Sequence, residues 1–238
     1  MTPPWLVSSE GGVGPLGGPW QDVEGALRTV RNTVVRMVDP DAESVEADLV
    51  AGRIKCPGCG SGLRPWGHAR VRPLRDHGSP SAMRPRRSIC PPCVNSPGAQ
   101  KTHVLLPKVA LLRRADTSTT IGEALLAWHV EERPRREVAA RAGVPIDTFR
   151  GWRRRFGQRA DQIRVQFTEL AHEWDPEQGA VTARAMPGLD ALEAIGVAAQ
   201  AAVRRFGADD AEPLWQLVAG ASAGRLLCNT SSPLPRPP

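Results

Sequence analysis

Residues 136–156 read REVAARAGVPIDTFRGWRRRF, and this stretch sets the fold of the helical part of the chain. A first short helix contains Val138 and ends near Gly143, a residue type that tolerates the positive φ of a tight turn. Pro145 and Asp147 suit the first turn of a second helix, because proline fixes a helical φ and a carboxylate is favoured beside unpaired N–H groups. The stretch therefore predicts two helices joined by a sharp turn.

The second helix carries a regular aromatic stripe. Phe149, Trp152 and Phe156 fall at i, i+3 and i+7, which places them on one helical face. We expect this face to pack against a further amphipathic helix over residues 121–132. Two short helices with a glycine at the bend are typical of the helix-turn-helix motif.

The opposite face of the second helix is polar and basic, and helix-turn-helix proteins place the N-terminal part of that helix against base edges. Arg150 can bind a guanine in bidentate fashion, and Asp147 can accept from the amino group of a cytosine. Ile146 joins these two as a predicted base contact, whereas the three consecutive arginines are assigned to phosphates. The predicted DNA-binding residues are Pro145, Ile146, Asp147, Thr148, Arg150, Gly151, Arg153, Arg154 and Arg155. A helical hairpin with a solvated arginine face is the alternative.

Positive charge is concentrated in two blocks. The 238-residue chain has a net charge of +6. Residues 53–114 hold 13 basic residues and one acidic residue, and residues 133–164 hold 10 basic and three acidic residues. The flanking segments are net acidic. Such clustering favours a polyanionic partner.

Two CxxC pairs predict a metal site. CPGC supplies Cys56 and Cys59, and CPPC supplies Cys90 and Cys93. Four cysteines from two such turns are the usual ligands of a closed, tetrahedral Zn²⁺ site. The residues between the pairs include few large apolar side chains, so bound Zn²⁺ would supply folding energy. The site is therefore predicted to be structural.

Other interpretations of these cysteines stay open. The pairs could be redox dithiols or free buried thiols, and His68, His77 or His103 could replace one cysteine ligand. Cys228 falls outside the two pairs and is expected to be a buried small residue.

The predicted fold class is mainly α: a small β zinc ribbon, then a helix-turn-helix domain, then C-terminal helices. Residues 21–52 are expected to form two helices, an amphipathic one from Asp22 through Met37 and an acidic one capped near Asp41. Within the ribbon, DHGSPSAM is expected to be a disordered excursion. The predicted segments are 1–20 disordered, 21–52 N-terminal helices, 53–107 zinc ribbon, 116–174 helix-turn-helix domain, 188–228 C-terminal helical hairpin and 229–238 disordered tail.

The motifs resemble those of known DNA-binding modules. EVAARAGVPIDTFRGWRRRF resembles the helix-turn-helix of resolvases, repressors and insertion-sequence transposases. CPGCGSGLRPWGHARVRPL followed by RRSICPPC resembles the zinc-ribbon head of transposase N-terminal modules. Their order is similar to an uncharacterised bacterial helix-turn-helix family with an N-terminal zinc ribbon. The resemblance covers roughly residues 53–232 and implies DNA binding in association with transposition or integration.

We expect a non-catalytic protein, because the residues after the helix-turn-helix are too few for the carboxylate triad and sheet of a transposase core. The predicted partner is double-stranded DNA, and the predicted role is a mobile-element accessory or a transcriptional regulator. Alternatives are the DNA-binding subunit of a recombinase or transposase with its catalytic core on another chain, and a zinc-ribbon protein-interaction module. The ribbon arginines expected to grip the DNA backbone or minor groove are Arg64, Arg70, Arg72, Arg75, Arg84, Arg86 and Arg87.

The C-terminal helices are expected to pack within the chain, with homodimerisation as the alternative. The start of the sequence lacks the basic and apolar regions of a signal peptide, and no apolar run approaches 18 residues. The expectation is therefore a cytoplasmic, nucleoid-associated protein with no membrane partner.

Overall fold

The computed structural model describes residues 35–99, 101–179, 181–184, 186–208 and 212–228. The strands are β1 (Val35–Val38), β2 (Arg64–His68), β3 (Arg72–Asp76), β4 (Ser79–Met83), β5 (Arg86–Ile89) and β6 (Thr102–Pro107). The helices are α1 (Ala42–Ala51), α2 (Pro91–Val94), α3 (Ser118–His129), α4 (Arg135–Arg141), α5 (Ile146–Trp174), α6 (Pro187–Phe206) and α7 (Leu214–Ala221). A small β region followed by helices is thus confirmed at this coarse level, although the described chain is mixed α/β. The predicted disordered segments 1–20 and 229–238 lie outside the described residues.

A four-stranded sheet separates two hydrophobic cores. Its strand order is β1-β6-β5-β2, with β1 parallel to β6 and the other pairs antiparallel. Successive side chains along a strand point to opposite faces. Accordingly, Met37 and Leu106 belong to a large core that the helices build, whereas Val38 and Leu105 belong to a smaller core around the cysteines.

Strand β1 corrects a prediction. The amphipathic helix expected from Asp22 through Met37 does not extend over Val35–Val38, which pair with β6 instead. Both Met37 and Val38 are buried there, one on each face of the sheet. Ladder hydrogen bonds and burial on both faces outweigh a helical spacing that is carried by β-branched residues. The earlier part of the predicted helix lies outside the described residues.

Helix α1 forms where the acidic segment predicts it. Asp41 caps it by accepting a 2.8 Å hydrogen bond from the Ser44 backbone N–H. Gly52, with φ +68°, ends the helix in the left-handed conformation. Val45 and Leu49 are buried in the smaller core. This core therefore begins with β1, upstream of the predicted ribbon boundary at residue 53.

The DHGSPSAM segment is ordered, contrary to the predicted excursion. Strands β3 and β4 pair in an antiparallel hairpin whose two-residue turn is His77 and Gly78. Both residues have positive φ, +46° and +81°, which matches the handedness that a tight hairpin requires.

Polar contacts hold this hairpin against the start of α3. Thr117 and Thr120 donate from their hydroxyls to one carboxylate oxygen of Asp76, at 2.8 and 3.0 Å. Arg75 donates two hydrogen bonds of 2.8 and 3.1 Å to the buried carboxylate of Asp116. The hairpin is ordered because its partners come from the helical part of the chain, more than 30 residues away in sequence.

Helices α3, α4 and α5 pack as the aromatic stripe predicts. Thr117 caps α3 through the Thr120 backbone N–H. Gly143, with φ +65°, forms the turn between α4 and α5. Phe149 is fully buried and meets Trp128 of α3 edge to face, with ring centroids 6.1 Å apart.

Helix α5 is continuous over Ile146–Trp174, and its buried stripe continues past Phe156 to Trp174. Gly157 lies in its interior, where glycine costs roughly 1 kcal/mol relative to alanine. Burial of the stripe on both sides of Gly157 outweighs that local cost.

The C-terminal helices complete the large core rather than forming a separate hairpin. Helix α6 packs along α5, and Leu192 and Ile195 are buried in the same cluster as Phe149. Trp215 of α7 lies directly against Gly122 of α3, where an added Cβ would fall 1.9 Å from the indole ring. Intramolecular packing, the expected use of these helices, is therefore observed. Among the described helices, none is long and apolar enough to cross a membrane.

Candidate metal centre and candidate nucleic-acid interface

Strand register brings the two CxxC pairs together. Arg64, which opens β2, pairs with Ile89, which closes β5. The CPGC turn precedes β2 and the CPPC turn follows β5, so both turns lie at the same end of the sheet. The backbone N–H of Gly60, whose φ is +73°, donates a 2.9 Å hydrogen bond to the Cys56 carbonyl and so closes the first CxxC turn. The 30 residues between the pairs are taken up by β2, the β3–β4 hairpin and β5.

The four sulfurs form a compact cluster that could hold a metal ion. All four Sγ atoms lie within 4.8 Å of one another. The sulfur–sulfur distances are 3.9 Å for Cys56–Cys93, 3.4 Å for Cys59–Cys90 and 3.6 Å for Cys59–Cys93. A tetrahedral Zn²⁺ with Zn–S bonds near 2.3 Å needs sulfurs roughly 3.8 Å apart. The predicted ligand set therefore lies close to the spacing that such an ion requires.

The thiols of the cluster differ in their ease of ionisation. Hydrogen bonds from the Ser61 side chain and backbone lower the pKa of Cys59 to about 6. Burial raises the pKa of Cys90. A buried thiol that resists ionisation becomes an anionic ligand when a cation compensates its charge.

His103 lies beside the cluster on β6. Its Nε2 is 3.7 Å from the Cys56 sulfur, and the side chain is 99% buried. That position suits a hydrogen bond to the Cys56 sulfur, the outer contact that orients a metal ligand. Of the three histidines weighed as substitute ligands, His77 binds Glu123 and Asp76 at the hairpin turn, and His68 lies exposed on β2.

The predicted DNA-contact face lies at the start of α5. Pro145, Asp147, Arg150 and Arg154 are exposed, whereas Ile146, Thr148, Gly151, Arg153 and Arg155 are partly buried. Arg150 donates a 2.7 Å hydrogen bond to Asp147, and their side chains are 53% and 81% exposed. These two predicted base contacts therefore bind each other in the free protein. The pair holds the guanidinium over the first turn of α5.

The three consecutive arginines point in different directions. Arg153 lies over the Trp128 ring, 4.7 Å from its centroid, and so bridges α5 to α3 by a cation–π contact. The guanidinium of Arg155 covers Gly151, where a Cβ would fall 2.7 Å from Nη1. Arg154 is the exposed member of the three. A helix brings each residue to a new azimuth of 100°, so consecutive residues cannot share one face.

Several ribbon arginines are held by internal partners. Arg86 binds Glu46 of α1 through two hydrogen bonds of 2.7 and 2.9 Å, which also lower the pKa of that carboxyl. Arg75 binds Asp116, as described above. Arg64 donates to the Val50 carbonyl at the end of α1. Arg70 and Arg84 are exposed. Arg75 and Arg86, two of the seven arginines predicted to grip DNA, thus form ion pairs within the chain, and their contact with DNA stays a prediction.

Sequence reasoning missed Ser61, Glu46 and Asp116. Ser61 follows a CxxC turn, and a hydroxyl two residues after the second cysteine could have been taken as a donor to sulfur. The other two are acidic residues in or beside basic blocks, a pattern that signals internal ion pairs. Their partners lie roughly 40 residues away, which local sequence patterns cannot show.

Comparisons with known proteins add no relative. No protein-family model, no curated protein and no solved structure matches this chain. The resemblance to transposase modules therefore stays a prediction that rests on the quoted motifs.

Proposed function

We propose that this protein binds double-stranded DNA through a helix-turn-helix formed by α4 and α5, with α3 as the supporting helix. The observation that carries the proposal is the two-sided character of α5. Its inner face is sealed by Phe149, Trp152 and Phe156, while its first turns present Asp147, Arg150 and Arg154 to solvent. The N-terminal part of a recognition helix meets base edges in this geometry.

The proposed DNA contacts are assigned by how exposed each side chain is. Arg150 and Asp147 are in position for base edges, and Arg154, one turn further along, is in position for a phosphate. Arg153 supports the helix pair through its cation–π contact with Trp128. The net positive block at residues 133–164 supplies long-range attraction.

The metal's proposed role is structural and the proposed ion is Zn²⁺. Four thiolate ligands leave no open coordination position for a substrate. Bound Zn²⁺ would fix the end of the sheet, and the sheet carries the hairpin that contacts the α4–α5 turn. The metal would thereby support the DNA-binding face without touching DNA.

Selection from fragmented genomic DNA with zinc-loaded protein tests the proposal. Enrichment of one motif at the ends of mobile elements would assign a transposition accessory, and enrichment at promoters would assign a regulator. Binding of one sequence no better than random DNA at moderate salt would contradict it. A matched selection with Arg150→Ala protein identifies the motif position that this side chain reads.

Co-purification tests the recombinase-subunit alternative. In that case the chain would isolate with a second polypeptide bearing a metal-binding carboxylate core. DNA affinity that survives disruption of the cysteine site, together with loss of protein partners, would favour the protein-interaction alternative.

A further inference from the structure

Trp66 is more exposed than the other tryptophans of the described chain. Trp152, Trp174 and Trp215 are buried to more than 90%, and Trp128 is partly covered by α5. Trp66 is 56% exposed. Tryptophan is highly buried on average, so this exposed indole on an ordered module is available to stack on a ligand.

The backbone conformation of β2 exposes the Trp66 indole to solvent. Trp66 lies on β2, an edge strand of the four-stranded sheet. The β2–β5 register shifts between Pro65 and Gly67, so Trp66 has no cross-strand partner. Such a bulge redirects a side chain away from the regular ladder. Gly67, with φ +128° and open space where its Cβ would be, leaves the surface beside the indole clear.

The charge around Trp66 is positive. Arg64 precedes it by two residues and is held in place by the Val50 carbonyl, 2.8 Å from Nη1. Arg70 is exposed two residues beyond the end of β2. The carboxylate of Glu46, on the adjoining helix α1, is paired with Arg86. An exposed aromatic ring among arginines suits a ligand with flat rings and phosphates.

We propose that Trp66 stacks on an unstacked DNA base while Arg64 and Arg70 bind the flanking phosphates. The inference rests on the proposed DNA-binding function and adds a second contact of different chemistry. The α5 face reads paired DNA, whereas Trp66 needs a base whose face is free. Such a base can come from single-stranded DNA or from a duplex step that the protein opens.

Affinity measurements on three DNA forms test this inference: an intact duplex with the selected motif, the same duplex with an unpaired bubble beside it, and a single strand. Trp66→Ala should weaken bubble binding about tenfold, within the range for one base–aromatic stack. Trp66→Phe should recover most of that loss, because phenylalanine keeps a π face. Val71→Ala, a change at an equally exposed apolar residue, should have no effect.

The DNA form that responds identifies the source of the base. A loss on single strands and bubbles alone means that Trp66 captures bases already unpaired; an added loss on intact duplex means that it opens a base step. Equal affinity of wild type and Trp66→Ala for all three forms overturns the inference and leaves duplex binding through α5 intact. Failure of wild type to bind any of the three would instead overturn the proposed function itself.

Discussion

Gly78 and Gly143 meet backbone to backbone. A Cβ on Gly143 would fall 2.5 Å from the Gly78 Cα, and a Cβ on Gly78 would fall 3.1 Å from the Gly143 Cα. Both residues also have positive φ. The turn of the β3–β4 hairpin therefore packs on the turn between α4 and α5, and this contact links the module that contains the cysteine cluster to the proposed DNA-binding helices.

Replacement of Gly143 should destabilise the protein through two additive effects. Gly143→Ala forces an L residue into the left-handed region, which costs roughly 1–2 kcal/mol, and pushes its methyl group into the hairpin. We expect a loss of about 2 kcal/mol or more in the free energy of unfolding, measured by urea titration. Gly157→Ala is the matched control, because its Cβ meets nothing within 4 Å in the interior of α5. It should stabilise by roughly 0.5–1 kcal/mol. An unchanged stability for Gly143→Ala would contradict the close approach.

The cysteine cluster should bind one metal ion per chain. Cys90→Ser removes a buried ligand, so metal content measured by mass spectrometry of the native protein should fall to near zero. Strands β2, β5 and β6 should then lose protection from hydrogen exchange, whereas α3 and the first half of α5 stay protected by their own core. Cys228→Ser, outside the cluster, is the control and should keep the metal. Full metal content in Cys90→Ser would show that another residue completes the site.

Substitutions on α5 should separate base reading from phosphate binding. Arg150→Ala should cost roughly 1–3 kcal/mol on the preferred sequence and less on random DNA, which relaxes selectivity. Arg154→Ala should weaken both sequences alike and lower the salt slope of binding by about 0.9. Arg204→Ala, an exposed arginine on α6 that binds Asp175, is the control. Equal weakening of DNA binding by all three changes would mean that binding depends on charge alone and that α5 makes no base-specific contact.

Protonation of His129 should destabilise the fold at mildly acidic pH. Burial lowers the pKa of His129 below its usual 6.5, and the nearby Arg153 acts in the same direction. The unfolded chain therefore takes up this proton more readily than the folded chain, so stability is retained above pH 6.5 and declines below it. His129→Gln should lose less stability between pH 7.5 and 5.5 than wild type, by urea midpoints. His172→Gln, which replaces an exposed histidine on α5, is the control. Because all variants keep the cysteine cluster, any effect of acid on the cluster is the same in each and cancels in the comparison. An equal loss in His129→Gln and wild type would contradict the prediction.

Local patterns were sufficient where neighbouring residues decide the conformation. The turn at Gly143, the cap at Thr117 and the aromatic stripe from Phe149 onward were predictable, because each depends on residues within one or two helical turns. The cysteine set was predictable for a similar reason, since each CxxC turn is a local unit and the ligand chemistry is specific. Arg150 and Arg154 could be nominated as exposed because they fall opposite the stripe.

Long-range partners decided the rest. Val35–Val38 carries part of a helical spacing, yet it forms a strand because β6 offers it an unpaired edge. The segment around His77 and Gly78 has the composition of a flexible loop. It is ordered because the adjacent Asp76 accepts hydrogen bonds from Thr117 and Thr120. Arg75 and Arg86 belong to a basic block, and the structure pairs them with Asp116 and Glu46. In each case the deciding residue is roughly 40 or more positions away.

The sequence by itself determined the local features of this protein: two CxxC pairs, a helix pair with a glycine at its bend, and two blocks of positive charge. Residue type and short-range spacing are enough for those, because ligand choice, turn conformation and helical periodicity are local properties. Only the tertiary structure decided how the parts combine. It brought the two cysteine pairs to one end of a sheet, set a hairpin turn against the α4–α5 turn, and left Trp66 exposed at a bulge. Those outcomes depend on strand register and on burial shared between distant segments, which no local stretch of the chain specifies.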